Sequence, residues 1–181
     1  MGNDREHIPD TPSIRSREYE KEKFIIRPIG IINTPHKESS KTPIQPVFAS
    51  GLKGTVTIDP EYSEGLLDLD GFSHIYLLYY FHECKEVKLI LKPYLEDTNR
   101  GLFATRAPCR PNPIGISIVR LLSVSGNILQ IEDVDILDNT PLIDIKPYVG
   151  RFDSHGNVRS GWQDNIGDNT ANVRGVRGFQ K

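Results

Sequence analysis

The chain has 181 residues, 37% hydrophobic and 25% charged, enough to bury the core of one domain with tails or of two small ones. Twenty-two Lys and Arg stand against 24 Asp and Glu, a formal net charge of -2. That excludes nucleic-acid binding by bulk positive charge and leaves room for a local basic patch or a small anionic ligand.

Disorder throughout is excluded by the same composition. Thirteen Pro and 15 Gly point to many turns and short elements rather than long helices. Cys84 and Cys109 are the only cysteines. Two thiols so distant in sequence make a poor disulfide framework and cannot alone complete a four-ligand zinc site. No basic, apolar and small-residue series opens the chain, so the expected compartment is the cytoplasm. The longest apolar run, residues 75–81, is far too short to span a membrane. Neither a membrane partner nor a metal is expected.

By texture the chain divides into an N-terminal arm, 1–23, a folded domain, 24–153, and a C-terminal tail, 154–181. The arm alternates charge and contains Pro9 and Pro12, with room for a short helix over 16–23. In the domain, residues 55–58 alternate polar and apolar as a strand does. Residues 60–67 read as a short helix, with Asp59 as N-cap and Pro60 in the first turn. Residues 74–81 suit a central strand, and residues 87–91 and 102–105 are shorter strand candidates. Residues 116–124 and 128–134 form a hairpin across Ser125-Gly126-Asn127. Short strands with a clear hairpin predict a mainly β fold, a small antiparallel barrel or sandwich. The tail is rich in Gly, Asn, Asp and Arg, with Trp162 its one large anchor. It reads as weakly structured, docking on a partner or on the core.

Three segments carry candidate chemistry. Residues 105–115 hold Pro108, Pro111 and Pro113, which fix φ and remove amide donors, so the loop is stiff. It either presents Arg106, Arg110 and Asn112 to a ligand at low ordering cost or is a rigid connection whose arginines pair with nearby acids. Residues 133–148 place Asp133, Asp135, Asp138 and Asp144 among apolar neighbours. The spacing misses the calcium loop, and residues 138–141 read as a turn. Asp135, between Val134 and Ile136, is expected at a strand end, partly buried, with Arg106 or Lys146 as donor. His82, after the most apolar strand, is either a base or a packing residue. Residues 43–46 could line a site through backbone groups. A single Gly30 after the first apolar run does not make a dinucleotide fingerprint, so a Rossmann cofactor site is not expected.

Taken in order, GLFATR at 101–106, RPNPIG at 110–115 and DIKPY at 144–148 resemble the TsaA/TrmO-like family of tRNA methyltransferases. Residues 29–35, Gln45-Pro46 and the stretch from Phe72 to His82 support the resemblance, which runs over about 24–152. It implies a small β-barrel binding S-adenosylmethionine without a Rossmann fold, usually as a homodimer. It also implies methyl transfer to the exocyclic amine of threonylcarbamoyl-adenosine, beside the anticodon of a threonine tRNA. Carried over by motif, the cofactor pocket takes Pro43, Ile44, Gln45, His82, Glu83, Arg106, Ile116 and a strand with Asp133, Val134, Asp135 and Ile136. Arg110 and Lys146 become substrate contacts, and Asp135, Asn112 and Tyr148 the candidate catalytic residues. Longer members carry a further C-terminal domain, and the tail from His155 falls outside the resemblance. A non-catalytic RNA- or nucleotide-binding barrel, or a methyltransferase for another small molecule or RNA, are the competing functions.

Overall fold

The computed structural model describes residues 25–177. The arm at 1–23, with the short helix considered for 16–23, lies outside the described residues. Alternation of apolar and polar side chains gives six long strands that close on themselves: β1 (Gly30–Asn33), β2 (Lys53–Ile58), β3 (His74–Tyr80), β6 (Ile114–Ser125), β7 (Ile128–Glu132) and β8 (Thr140–Pro147). Every neighbouring pair is antiparallel, in the order β1-β2-β7-β6-β3-β8, with β1 returning to β8. Two short strands, β4 (Ile90–Leu91) and β5 (Arg100–Gly101), form a separate ribbon.

Inward positions repeat every second residue, and Ile32, Val56, Ile75, Leu77, Val119, Leu129, Ile131 and Leu142 fill the barrel with no exposed surface. Each such burial is worth about 1.5–3 kcal/mol. Gly115, also inward, lies under the Tyr79 ring, where an added Cβ would sit 2.2 Å from a ring carbon. Its bare Cα lets that aromatic cross the barrel.

The expected hairpin forms between β6 and β7, with Gly126 at a φ of 59° in its turn. Residues 60–67 make a tight 3-10 helix, Pro60–Leu66, and Asp59 serves it through its carbonyl, accepting from the Tyr62 amide, without a side-chain cap. The candidate strand at 87–91 shrinks to β4, and 102–105 is instead a 3-10 turn, Leu102–Ala104, because the pairing with β4 is spent on Arg100 and Gly101. The strand expected over 133–136 is an irregular crossover from β7 to β8, beginning where Asp133 takes a φ of 64°.

A short helix α1 (Gly150–Asp153) follows β8. Beyond it, the stretch expected as weakly structured forms a 3-10 turn, Gly161–Asn165, and a helix α2 (Asp168–Gly175). Both dock on loops that flank the barrel: Trp162 Nε1 donates to the Ala104 carbonyl at 2.8 Å, and the Gly175 carbonyl accepts from the Ile44 amide at 2.9 Å.

Candidate functional site

At the end of the barrel where β3 finishes and β8 begins, a polar chain enters the core. The Asp135 side chain points inward, where Ser117 Oγ donates to its Oδ1 at 2.7 Å, and Tyr79 Oη lies 3.1 Å from the same Ser117 oxygen. All three residues are buried. Desolvation pushes the Asp135 carboxyl up to about 7, opposed by the Ser117 hydrogen bond and by the charge of Arg106. The Tyr79 phenol is raised as well, again by burial first. The expected donors to Asp135 are therefore corrected. Lys146 pairs with Asp144 at 2.8 Å, Arg106 acts on Asp135 only through its charge, and a serine hydroxyl supplies the hydrogen bond.

The crossover holding Asp135 is clamped on both sides. Asp133 Oδ1 accepts from the Gly51 amide at 2.7 Å, and the Val134 amide donates to the Leu52 carbonyl. The Val134 carbonyl meets His36 Nε2 at 2.8 Å, and the Ile136 carbonyl accepts from Thr34 Oγ1 at 2.7 Å. Val134 and Ile136 are core residues, so the backbone between them has one way to turn and Asp135 is presented inward. Burial lowers the pKa of His36 despite its bond to Val134, keeping the imidazole neutral.

Two loops rim this end. Arg106 Nη1, on the stiff proline loop, donates to Gln45 Oε1, and Gln45 Nε2 donates to the Ile44 carbonyl at 2.6 Å. Pro43, buried, and Ile44 are fixed beside them, the latter by Gly175. His82 lies at this end too, its Nδ1 a loose 3.5 Å from Thr140 Oγ1, and Glu83 is exposed next to it. Arg110 turns back on its own loop, donating to the Thr105 carbonyl at 3.0 Å, with its guanidinium 5.7 Å from the centre of the exposed Phe103 ring. Asn112 is exposed, and its carbonyl accepts from the Ile114 amide.

Three candidates sit elsewhere. Ile116 alternates with Ser117 and faces out of the barrel, 49% exposed. Tyr148 bonds the His74 carbonyl through its amide and packs on Tyr76, and Lys146 pairs with Tyr76 in register. Ile116 and Lys146 are close to Ser117 in register but on exposed positions of the barrel wall, while Asp135 meets Ser117 in the buried interior, and Tyr148 lies at the His74 end of β3.

Sequence reasoning missed Ser117 and Tyr79. Ser117 carries a readable signal, a hydroxyl at an inward position of an alternating strand; Tyr79 is hidden within a uniformly apolar run. The two cysteines, read as distant, have their sulfurs 2.8 Å apart.

The described residues contain no group of three or more metal-ligating side chains and no helix long and apolar enough to cross a membrane. A shallow groove lined by Pro60, Ser63, Glu64, Gly126 and Asn127 contains none of the candidate residues.

Residues 31–154 match the sequence model of the tRNA-methyltransferase O N-terminal domain. A probable S-adenosyl-L-methionine-binding protein of Pyrococcus abyssi is 59% identical over 136 residues, 75% of this chain and 74% of that protein. A tRNA (adenine(37)-N6)-methyltransferase of Mus musculus is 34% identical over 144 residues, 75% of this chain but 33% of that protein. The crystal structure of TrmO from Pseudomonas aeruginosa superposes with a TM-score of 0.66 at 36% identity, covering 77% of this chain and 62% of that one. A closed six-stranded barrel, the ordered motifs at 101–148 and these matches give one conclusion: the chain belongs to the tRNA-methyltransferase O family.

Proposed function

We propose that this chain is an S-adenosylmethionine-dependent methyltransferase acting on the exocyclic amine of threonylcarbamoyl-adenosine, in the anticodon loop of a threonine tRNA, and that it works in the cytoplasm as a homodimer. Membership of the family and relatives named for S-adenosylmethionine binding and for tRNA adenine-37 N6 methylation support the reading. The observation that carries it is the joining of the 43–45 loop to the stiff loop through Gln45 and Arg106, beside a buried carboxyl.

The residues present fit the cofactor. Arg106 is exposed and keeps free N–H groups beyond the one given to Gln45, so it can receive an amino-acid carboxylate through two parallel hydrogen bonds. Asp135, buried with no cation in hydrogen-bond contact, has an ionised form that a neighbouring positive charge would favour. When bound, S-adenosylmethionine supplies an electrophilic methyl on a cationic sulfur. Gln45 orients Arg106, and the backbone at Pro43 and Ile44 forms the wall beside it. Leu102 is buried behind the stiff loop and helps exclude water. His82, Glu83, Asn112 and the Asp133–Ile136 crossover complete the surroundings.

For the acceptor, positioning matters most, because an amine conjugated to a purine is a weak nucleophile. Phe103 and the guanidinium over its ring form a flat cationic platform of the kind on which an unstacked loop base rests, giving Arg110 a role in substrate binding. Asp135, with its pKa near neutrality, is the group best placed to take the amine proton.

The dimer reading rests on the outer face of β3 and β6. Tyr80, Ile114, Ile116 and Ile118 are exposed there together, paired in register with one another and with Tyr76 and Leu78. Lys146 borders the same face through its pairing with Tyr76. A self-complementary contact over this face would bury the apolar strip and set Ile116, Lys146 and Tyr148 at or beside the interface. Sedimentation at low and high concentration tests it.

Mass analysis of modified nucleosides from a strain deleted for the gene, with and without this chain restored, tests the reaction. The methylated nucleoside returns only with the chain. Calorimetry with S-adenosylmethionine separates the alternatives: no heat at high concentration overturns the reading, and binding without a change in tRNA nucleosides assigns another acceptor or a binding barrel.

A further inference from the structure

The turn after β3 and the stiff loop before β6 are laced together by their backbones. Phe81 N donates to the Pro113 carbonyl at 2.8 Å, and Lys88 N donates to the Cys109 carbonyl at 3.1 Å. Beside these rungs Cys84 and Cys109 face each other, their sulfurs 2.8 Å apart and unbonded. A disulfide needs about 2.05 Å, so closing it takes less than an ångström of movement. Both side chains are half-buried, within reach of a small reagent. His82 and Glu83 stand immediately before one cysteine; Arg106, Arg110 and Asn112 flank the other.

We infer that Cys84 and Cys109 are a reversible disulfide site, formed by exchange with a low-molecular-weight disulfide such as oxidised glutathione, which fastens the His82–Glu83 turn to the Arg106–Asn112 loop. One cysteine thiolate attacks a sulfur of the small disulfide, making a mixed disulfide and releasing one small thiolate. The second cysteine then attacks the bound sulfur, releasing the other. The protein loses two electrons and two protons, and the small disulfide gains them as two thiols. Burial and the neighbouring Cys84 push the Cys109 thiol up to about 11, so Cys109 is a poor first nucleophile and suits the second, intramolecular step. The bond closes a loop between positions 25 apart in sequence, which restricts the unfolded chain and raises stability.

The test equilibrates the purified full chain with oxidised or reduced glutathione, traps free thiols by alkylation and maps peptides by mass. The oxidised sample should contain a Cys84–Cys109 linked peptide, melt several degrees higher and show slower amide exchange over 82–88 and 105–113 than the reduced sample. Cys84→Ser and Cys109→Ser should show no such differences between the two buffers. The comparison within the unmodified chain decides the matter even if a variant folds poorly. Full alkylation of both cysteines after oxidation, or glutathione left on each of them, overturns the inference. An equal melting shift in Cys84→Ser overturns it as well.

Discussion

Ser117 Oγ donates a 2.7 Å hydrogen bond to Asp135 Oδ1 inside a barrel whose other inward strand positions are almost all apolar. That bond holds down a pKa that burial raises, the balance lying at about 7, so the serine helps set how much carboxylate exists at neutral pH. The kcat/KM for methyl transfer by the unmodified chain, which reports the unliganded protein, should rise with pH through about 7. Ser117→Ala should move that midpoint to higher pH and destabilise the fold by about 1–3 kcal/mol, because Tyr79 Oη also loses its partner. The pH profile of kcat/KM checks this, and an unshifted midpoint would place the reaction away from Asp135.

The same carboxyl makes stability depend on pH. An aspartate in the unfolded chain ionises at about 3.9. Between that value and about 7 the folded chain holds a proton that the unfolded chain has released. The contribution is therefore full below the unfolded value and is lost as pH rises towards 7, at no more than about 1.4 kcal/mol per pH unit. His36 acts in the opposite sense, since burial lowers its pKa and the unfolded chain takes up a proton first as the solution is acidified. Asp135→Asn keeps the shape and removes one of the two slopes. Urea unfolding across this range should show the variant gaining on the unmodified chain as pH rises.

What the sequence discloses and hides follows from how far each signal reaches. Alternation makes β2 and the β6–β7 hairpin legible, because a period of two is local, and a run of apolar and aromatic residues does the same for β3. The strand at 102–105 was misplaced because nothing local says which apolar residues will find a partner, and β4 took Arg100 and Gly101. The motif residues Gln45 and Arg106 do meet, 61 positions apart. Their meeting depends on loop paths that no spacing encodes. Asp135 was singled out for its apolar neighbours, and its burial follows from Val134 and Ile136 being core. Its serine donor comes from a strand far away in sequence, and the docking of α2 rests on backbone groups that carry no side-chain signature.

Arg106 and Gln45 should act together on cofactor affinity. Arg106→Ala removes the proposed carboxylate receptor and should weaken S-adenosylmethionine binding about tenfold to a hundredfold, the usual cost of a charged hydrogen-bonded contact. Gln45→Ala leaves the guanidinium present but unaimed, so its loss should be smaller. The double variant should lose less than the product of the two effects. Calorimetry reads all three, and additive losses would show that Gln45 does not work through Arg106.

Gly115→Ala tests the inner chain by shape alone. Its new Cβ would meet the Tyr79 ring at 2.2 Å, and neither β3 nor β6 can retreat in a closed barrel. The ring must leave its place over β6, breaking its contact with Ser117. A loss of about 1–3 kcal/mol is expected from overpacking, with Asp135 reoriented as a consequence. Chemical denaturation gives the first figure and the pH profile of kcat/KM the second.

The C-terminal segment lies beyond the matched family region yet holds part of the proposed site. Gly175 accepts a hydrogen bond from the Ile44 amide, and its Cα rests on the Phe48 ring, where an added Cβ would come within 2.5 Å. Gly175→Ala must therefore lift the end of α2 from the loop that carries Pro43, Ile44 and Gln45. Freed of that bond, the loop pays an ordering cost on binding that the intact chain has already met, about 1 kcal/mol or roughly fivefold in affinity. Arg174→Ala on the same helix removes only an exposed pair with Asp97 and should leave affinity unchanged. Should both variants bind S-adenosylmethionine as the unmodified chain does, the segment is a covering and no brace.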